Sequence, residues 1–452
     1  MRSHRLSLTA LAAALLTAGT AAIAGEARAA AAADTADQRR ITASWCAGRC
    51  DSVVTDWSLT AFQVIKAGDG YGDPMAASRS LAMVHAAMHD AVNGARPRYQ
   101  RYALEAVPAG SDRADAAVAA SQAAHDVLVA LYPQAAATAV AKVQLERTML
   151  EAGIGSSIEA GTKLGKAAAA AVLTKRANDG AVGNEPYIEG TQPGEYRFTA
   201  PFDFAAAPHW RHVTPFVLAT TSQFRTAAAP ALSSEAYRRD FDEVKRVGGK
   251  TSAQRTSDET HYAAFWYEFS DIGWNRIARA ASGRVPQDLH ERARTFALLN
   301  MAMADAYIAG WDSKFHHNAW RPVTAIHLAG DDGNPRTLPD ASYETLLVTP
   351  PVPDMPSTHS ALGAAAAAVL ADAFGRDHVS FAFASSSAMA ANPVRAFRSF
   401  SEAAKENADS RVKAGLHFRF ATEAGLQLGR SIGQLANRYA LARQYGAASQ
   451  DD

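Results

Sequence analysis

Apolar residues recur at three- and four-residue spacing through most of this chain, and no segment alternates them at every second position. Over residues 75–92, Ala77, Leu81, Val84, Met88 and Val92 share one helical face. Segments 114–131, 135–151 and 157–177 repeat the pattern with alanine and unbranched side chains, which lose little rotamer freedom in a helix. Alanine also lets helices approach closely, so the pattern predicts an all-α chain built as two packed helical bundles. Asn93-Gly94 follows a helical run and reads as a helix end, not a hairpin turn. No strand is expected.

The periodicity lapses between about residues 180 and 232. There Pro186, Pro193, Pro201, Pro208, Pro215 and Pro230 alternate with Tyr187, Tyr196, Phe198, Phe202 and Trp210. The aromatic residues give this stretch something to bury, so it is expected as an ordered crossing and not a flexible linker. It closes an N-terminal helical region over 30–232 and leads into a C-terminal helical region over 233–445 that carries the chemistry. Helices are expected there over 234–246, 252–269, 286–311, 358–375, 392–407 and 411–439. In the third of these, Leu289, Ala293, Phe296, Ala297, Asn300, Ala304 and Ile308 form one stripe.

Charge and cysteine content exclude several classes. Lys+Arg and Asp+Glu both number 45, so no basic surplus points to nucleic acid. Only Cys46 and Cys50 occur, too few for a disulfide scaffold; whether they pair is left open. Arg2, His4 and Arg5, an apolar stretch from Leu6 to Ile23, and the small residues of Ala27-Arg28-Ala29 read as a signal peptide over 1–29. Its removal takes the balance of charge from zero to −2. No later apolar run is long enough to span a bilayer. The chain is therefore expected to be secreted, and soluble once the signal is removed.

Three short segments of the second half combine cations, hydroxyls and histidines. Lys314-Phe-His-His-Asn-Ala-Trp-Arg321-Pro322 sets two cations seven positions apart, nearly on one face if the segment is helical. Such a pair can clasp an anion, Arg321 as a planar fork and Lys314 as a point charge. Pro353-Asp-Met-Pro356-Ser357-Thr358-His359-Ser360 precedes an alanine-rich helix. Ser357 is a good N-cap, the N–H groups of Thr358 and His359 lie where an oxyanion binds, and His359 can move a proton. Ser410-Arg411-Val-Lys-Ala-Gly-Leu-His417 adds a cation at an expected helix start and a second imidazole able to act as ligand or nucleophile.

In that order, Lys-x6-Arg-Pro, Pro-Ser-x-His and Ser-Arg-x5-His resemble the three-part signature of the superfamily uniting type 2 phosphatidic acid phosphatases, soluble bacterial acid phosphatases and vanadium-dependent haloperoxidases. The segments Arg79-Ser-Leu-Ala-Met-Val-His-Ala-Ala-Met-His-Asp-Ala-Val-Asn93, Trp311-Asp-Ser-Lys314, Trp320-Arg-Pro-Val-Thr-Ala-Ile326 and His417-Phe-Arg-Phe420 are similar to the haloperoxidase branch. The resemblance implies vanadate as cofactor, bound through His417. Lys314, Arg321 and Arg411 would neutralise its oxygens, Ser357 and the Thr358 backbone would donate to them, and His359 would serve as general acid–base. Lys314 would also assist the reaction itself, in which hydrogen peroxide oxidises halide to hypohalous acid, with a small organic molecule as a further substrate. The alternatives are a phosphatase using His417 as nucleophile on phosphomonoesters, and a non-catalytic oxyanion-binding relative.

The chain departs from that pattern at three places. Thr358 stands where glycine is usual and would be strained at positive φ. Ala421 replaces an acidic residue that would orient the imidazole of His417. Val352 replaces an aromatic residue or histidine near the halide, leaving Trp311 as an aromatic wall. Asp305 and Asp258 are candidates to pair with Arg411. His85 and His89, one turn apart, are expected to pack structurally and not to bind zinc, and the adjacent His316 and His317 diverge by about 100° on a helix.

Overall fold

The computed structural model describes residues 52–444; the segment 1–29 and both cysteines lie outside the described residues. The first half contributes α1 (Val53–Ala67), α2 (Pro74–Ala95), α3 (Ala116–Leu131), α4 (Ala135–Ala152) and α5 (Ser156–Arg176). Asp73 starts α2 by accepting from the N–H groups of Met75 and Ala76, with Pro74 at the first position. Asp115 caps α3 in the same way. His85 and His89 are buried in α2, where His85 packs against the Phe296 ring and His89 lies 2.9 Å from the Gln100 carbonyl. Both have structural neighbours.

The second half contributes α6 (Glu235–Val247), α7 (Ser257–Phe265), α8 (Ser270–Ser282), α9 (Leu289–His317), α10 (Pro322–His327), α11 (Thr358–Ala373), α12 (Phe400–Lys413) and α13 (Arg419–Tyr439). The axis of the molecule is α9. Almost every side chain from Arg292 to Lys314 is buried, because α2 packs on it from the first half and α11 and α13 from the second. A single apolar cluster therefore runs from Val53 to Leu441. Among the described residues, no helix is long and apolar enough to cross a membrane.

Four local expectations are corrected. Residues 392–407 are not one helix: β1 (Phe381–Ala384) pairs antiparallel with β2 (Val394–Phe397), Phe381 opposite Phe397, before α12 begins. Four-residue strands are too short to show alternation, and this hairpin is held by its aromatic face, with Phe383 packed on Phe265 and Trp266. The expected helix over 252–269 is only Ser257–Phe265, started by the reciprocal cap of Thr256 and Glu259. The segment 411–439 is split. Its first residues end α12, Gly415 turns at φ +79° against the Gly248 backbone, and α13 starts at Arg419. Lastly, Lys314 and Arg321 do not share a helix. The chain turns left-handed at Asn318, and Arg321 is extended as the residue before Pro322 must be.

The contact between α11 and α13 depends on small residues. Gly425, Gly429 and Gly433, one turn apart, face the backbone of Ser357, Ala361 and Ala365. A methyl group on Gly429 would overlap the Ala361 carbonyl. Gly429→Ala should therefore destabilise the fold by about 1–3 kcal/mol, as overpacking does, measured by urea unfolding. The opposite sign, expected for Gly→Ala in an unconstrained helix, would show that α13 stands off from α11.

Candidate oxyanion site

Five backbone segments converge beside the C-terminal end of α9. The last turn of α9 carries Lys314, and the residue preceding α10 is Arg321. The loop from Pro350 leads into the N-terminus of α11 with Ser357, Thr358 and His359. Arg411 lies in the last turn of α12, and His417 lies in the connection to α13. The Pro/aromatic crossing straps the turn that sets Arg321. Tyr196 N–H donates to the Asn318 carbonyl (2.8 Å), Trp320 N–H to that of Gly194 (2.9 Å), and the Tyr187 hydroxyl to Asn318 Oδ1 (2.7 Å). Ala206 N–H then reaches Pro351 O (2.8 Å), and Trp311 Nε1 donates to Ala206 O (3.1 Å).

All three cations are buried. Lys314 Nζ donates to the carbonyls of Pro353 (2.7 Å) and Asp354 (3.0 Å). Arg321 donates through Nε to Val352 O (2.7 Å) and through Nη1 to Leu416 O (2.9 Å). Arg411 is 1% exposed, lies 5.7 Å from the Tyr267 ring, and has no hydrogen-bond partner at Nε or Nη1. Burial pulls the Lys314 amine well below the ordinary lysine range, and the Arg321 charge adds to this. Burial likewise lowers Arg411, to about 10.

Both histidines are held neutral. Burial depresses His417 well below the ordinary range, and the charges of Arg321, Lys314 and Arg411 press it further. His359 is depressed by burial and then by Arg411; its Nε2 lies 2.9 Å from the Glu268 carbonyl. The His417 Nε2 atom lies 3.0 Å from Arg321 Nη1. One carboxylate shares this interior. Asp354 is fully buried, with Oδ1 2.8 Å from His417 Nδ1 and 3.6 Å from Arg321 Nη1. Burial raises its carboxyl to about 7, against the pull of Arg321, Lys314 and the Phe418 N–H.

Comparison with known proteins points the same way. A family model of the VCPO second helical-bundle domain matches residues 294–445, which hold all of these side chains. Vanadium chloroperoxidase of Curvularia inaequalis is 28% identical over 367 residues, covering 65% of this chain and 60% of that protein. The chain thus spans less than two thirds of that curated relative. The crystal structure of a bacterial vanadium-dependent iodoperoxidase superimposes with a TM-score of 0.71 at 27% identity, over 83% of this chain and 94% of the other. A bacterial vanadium-dependent chloroperoxidase in its holo form shares the fold, with a TM-score of 0.65 at 18% identity over 81% and 92%. The chain is a vanadium haloperoxidase-like protein.

In this haloperoxidase-like site the sequence departures have physical outcomes. Thr358 opens α11 without positive φ, so threonine is unstrained there. Ser357 is the N-cap, its Oγ accepting from Ser360 N–H at 3.5 Å, while its own N–H donates to Ala421 O (2.8 Å). Val352 is buried and contributes its carbonyl to Arg321. Neither expected partner holds Arg411. Asp305 accepts the N–H groups of Phe216, Val217 and Leu218, and Asp258 pairs with Arg395. Sequence reading assigned no role to Asp354, although it stands inside the second motif. A carboxylate directly before the cis Met355-Pro356 pair carries no periodicity or spacing that would single it out.

Three buried cations against one carboxylate leave a positive surplus that an anion would neutralise. Orthovanadate or phosphate should therefore raise the unfolding temperature; at a hundredfold excess over Kd the gain is about 2.7 kcal/mol. Arg411→Met should keep or raise stability without anion, because it removes a buried charge with unmet donors, and should lose most of the anion-dependent gain. An equal gain in both proteins in a thermal-shift titration would place the anion elsewhere.

Proposed function

We propose that this protein is an exported enzyme that uses vanadate to oxidise halide with hydrogen peroxide, releasing hypohalous acid. The observation that carries this reading is the surplus of buried positive charge arranged around a neutral imidazole. The likeness to vanadium chloroperoxidase and to the iodoperoxidase supports it. Export rests on the N-terminal sequence pattern alone.

The residues present suit a tetrahedral or five-bonded oxyanion. Lys314, Arg321 and Arg411 would neutralise its oxygens, and the unmet donors of Arg411 are free to point at one. The Ser357 hydroxyl and the N–H of Thr358, at the start of α11, add donors where the helix dipole favours negative charge. His417, kept neutral by its neighbours, offers an unprotonated ring nitrogen as ligand. When bound there, vanadate supplies a Lewis acid that activates peroxide without changing its own oxidation state.

Halide, peroxide and one proton give hypohalous acid and water, so the site must manage a proton. His359 can do this: with Nε2 held by the Glu268 carbonyl and the ring neutral, it is a base ready to take a proton and return it. Lys314 is fixed by two carbonyls and so presents its remaining N–H in one direction. Trp311, one turn before Lys314, and Val352, beside the carbonyls that hold it, are themselves buried.

A second reading rests on the same imidazole. An unprotonated His417 beside three cations is also equipped to attack phosphorus in a phosphomonoester. The two are separated by assay. Protein given orthovanadate, peroxide and iodide or bromide should halogenate a phenolic dye. His417→Ala and Lys314→Ala should each lose roughly 100-fold or more, the scale seen when a preorganised charge or ligand is removed. Hydrolysis of p-nitrophenyl phosphate, inhibited by vanadate and with no halogenation, would replace the first reading with the second.

A further inference from the structure

We propose that Asp354 is the positioning residue for His417: it takes the Nδ1–H of that ring and thereby commits Nε2, unprotonated, to the oxyanion. The inference rests on the reading of His417 as the oxyanion's ligand.

An acid in this place needs an explanation. A negative charge inside a pocket built for an anion opposes binding by Coulomb repulsion. It is worth keeping only if it does something the cations cannot. Asp354 is fully buried, and neither carboxylate oxygen accepts a well-aligned hydrogen bond, an expensive condition for such a group. The donors near it are few: His417 Nδ1 at 2.8 Å, Arg321 Nη1 at 3.6 Å, and the Phe418 N–H. The arginine is already engaged with the carbonyls of Val352 and Leu416. The imidazole is thus the side chain whose proton has a vacant acceptor 2.8 Å away.

The position four residues after His417 offers no substitute. Ala421, in the first turn of α13, has no side-chain acceptor, and its carbonyl is occupied by Ser357 N–H. The loop bearing Asp354 is itself held firmly. Its N–H donates to Ala319 O (2.8 Å) and its carbonyl accepts from Lys314. The carboxylate is therefore fixed relative to the cations that gather the anion. A neutral imidazole has one proton and two nitrogens, and the choice between tautomers decides whether a lone pair faces the ligand.

The test separates charge from positioning by sign. Sulfate reads only the positive charge of the pocket, whereas vanadate also bonds to the imidazole. In Asp354→Ala, calorimetric titration should show vanadate Kd rising tenfold or more while sulfate Kd stays level or falls. Histidine nitrogen shifts by NMR should show His417 as the Nδ1–H tautomer in the native protein and a mixture in the variant. Asp354→Asn, which preserves volume, should lie between the two. Unchanged or tighter vanadate binding, equal weakening of both anions, or an unaltered tautomer would each overturn the proposal. If the native protein binds no vanadate, the functional reading fails, and the tautomer measured in the sulfate-bound protein still decides this one.

Discussion

Buried positive charge is the constraint to which the rest of this protein answers. Moving one ammonium or guanidinium out of water costs several kcal/mol even after relaxation, and here Lys314, Arg321 and Arg411 are buried, with one carboxylate, Asp354, acting on the first two. The fold meets part of that cost with carbonyl oxygens. Val352, Pro353 and Asp354 turn their carbonyls on Arg321 and Lys314, and Leu416 does the same from the opposite loop. Carbonyl dipoles stabilise a cation without cancelling its charge. The pocket therefore stays positive and ready for an anion.

Such a site requires loops that cannot relax away from it, and the helices provide this. The backbones of α11 and α13 touch through Gly425, Gly429 and Gly433, which fixes the start of α11 against the start of α13. Ser357 and Ala421 are joined by a backbone hydrogen bond at that corner. On the other side, the crossing from the first half ties Gly194 and Tyr196 to the turn at Asn318 and Trp320. Asp305 in α9 in turn anchors the crossing by accepting three of its N–H groups. Its carboxyl is pushed up to about 6 by burial, with those N–H groups opposing. The first bundle thus acts on the chemistry without contributing a charged group to it.

This division explains what was legible in the sequence. The helices α2 to α5 and the long α9 are legible as apolar spacing, whereas α1 (Val53–Ala67) and α8 (Ser270–Ser282) carry no expectation from the sequence. The hairpin at Phe381–Phe397 could not be read, since four-residue strands held by aromatic packing leave no period to detect. The three motifs named the side chains that the fold brings together, but the sequence misjudged how. Lys314 and Arg321 meet across a break at Asn318, and Arg411 closes a helix that it was expected to open. The causes differ: Asn318 and Pro322 break the first segment, and the left-handed Gly415 ends the helix that carries Arg411. Asp354 was invisible for another reason, because its partner His417 lies 63 positions later and only the folded chain brings them together.

The two proposed reactions would draw on the same cradle, because each would need an oxyanion held by several cations beside one neutral imidazole. What separates them is which nucleophile reaches the centre, and that depends on the wall rather than on the cations. Near the cradle, Val352 and Trp311 are buried, and the Trp311 indole N–H is already committed to the Ala206 carbonyl. Such side chains offer water no partner, whereas a large, weakly hydrated halide loses little by lying against them. Phosphoryl transfer to water would instead need a group that holds and activates a water molecule. His359, held at Nε2 by the Glu268 carbonyl, is the base available for that step as well. The buried apolar neighbours thus speak for the peroxidase reading, whereas His359 serves both.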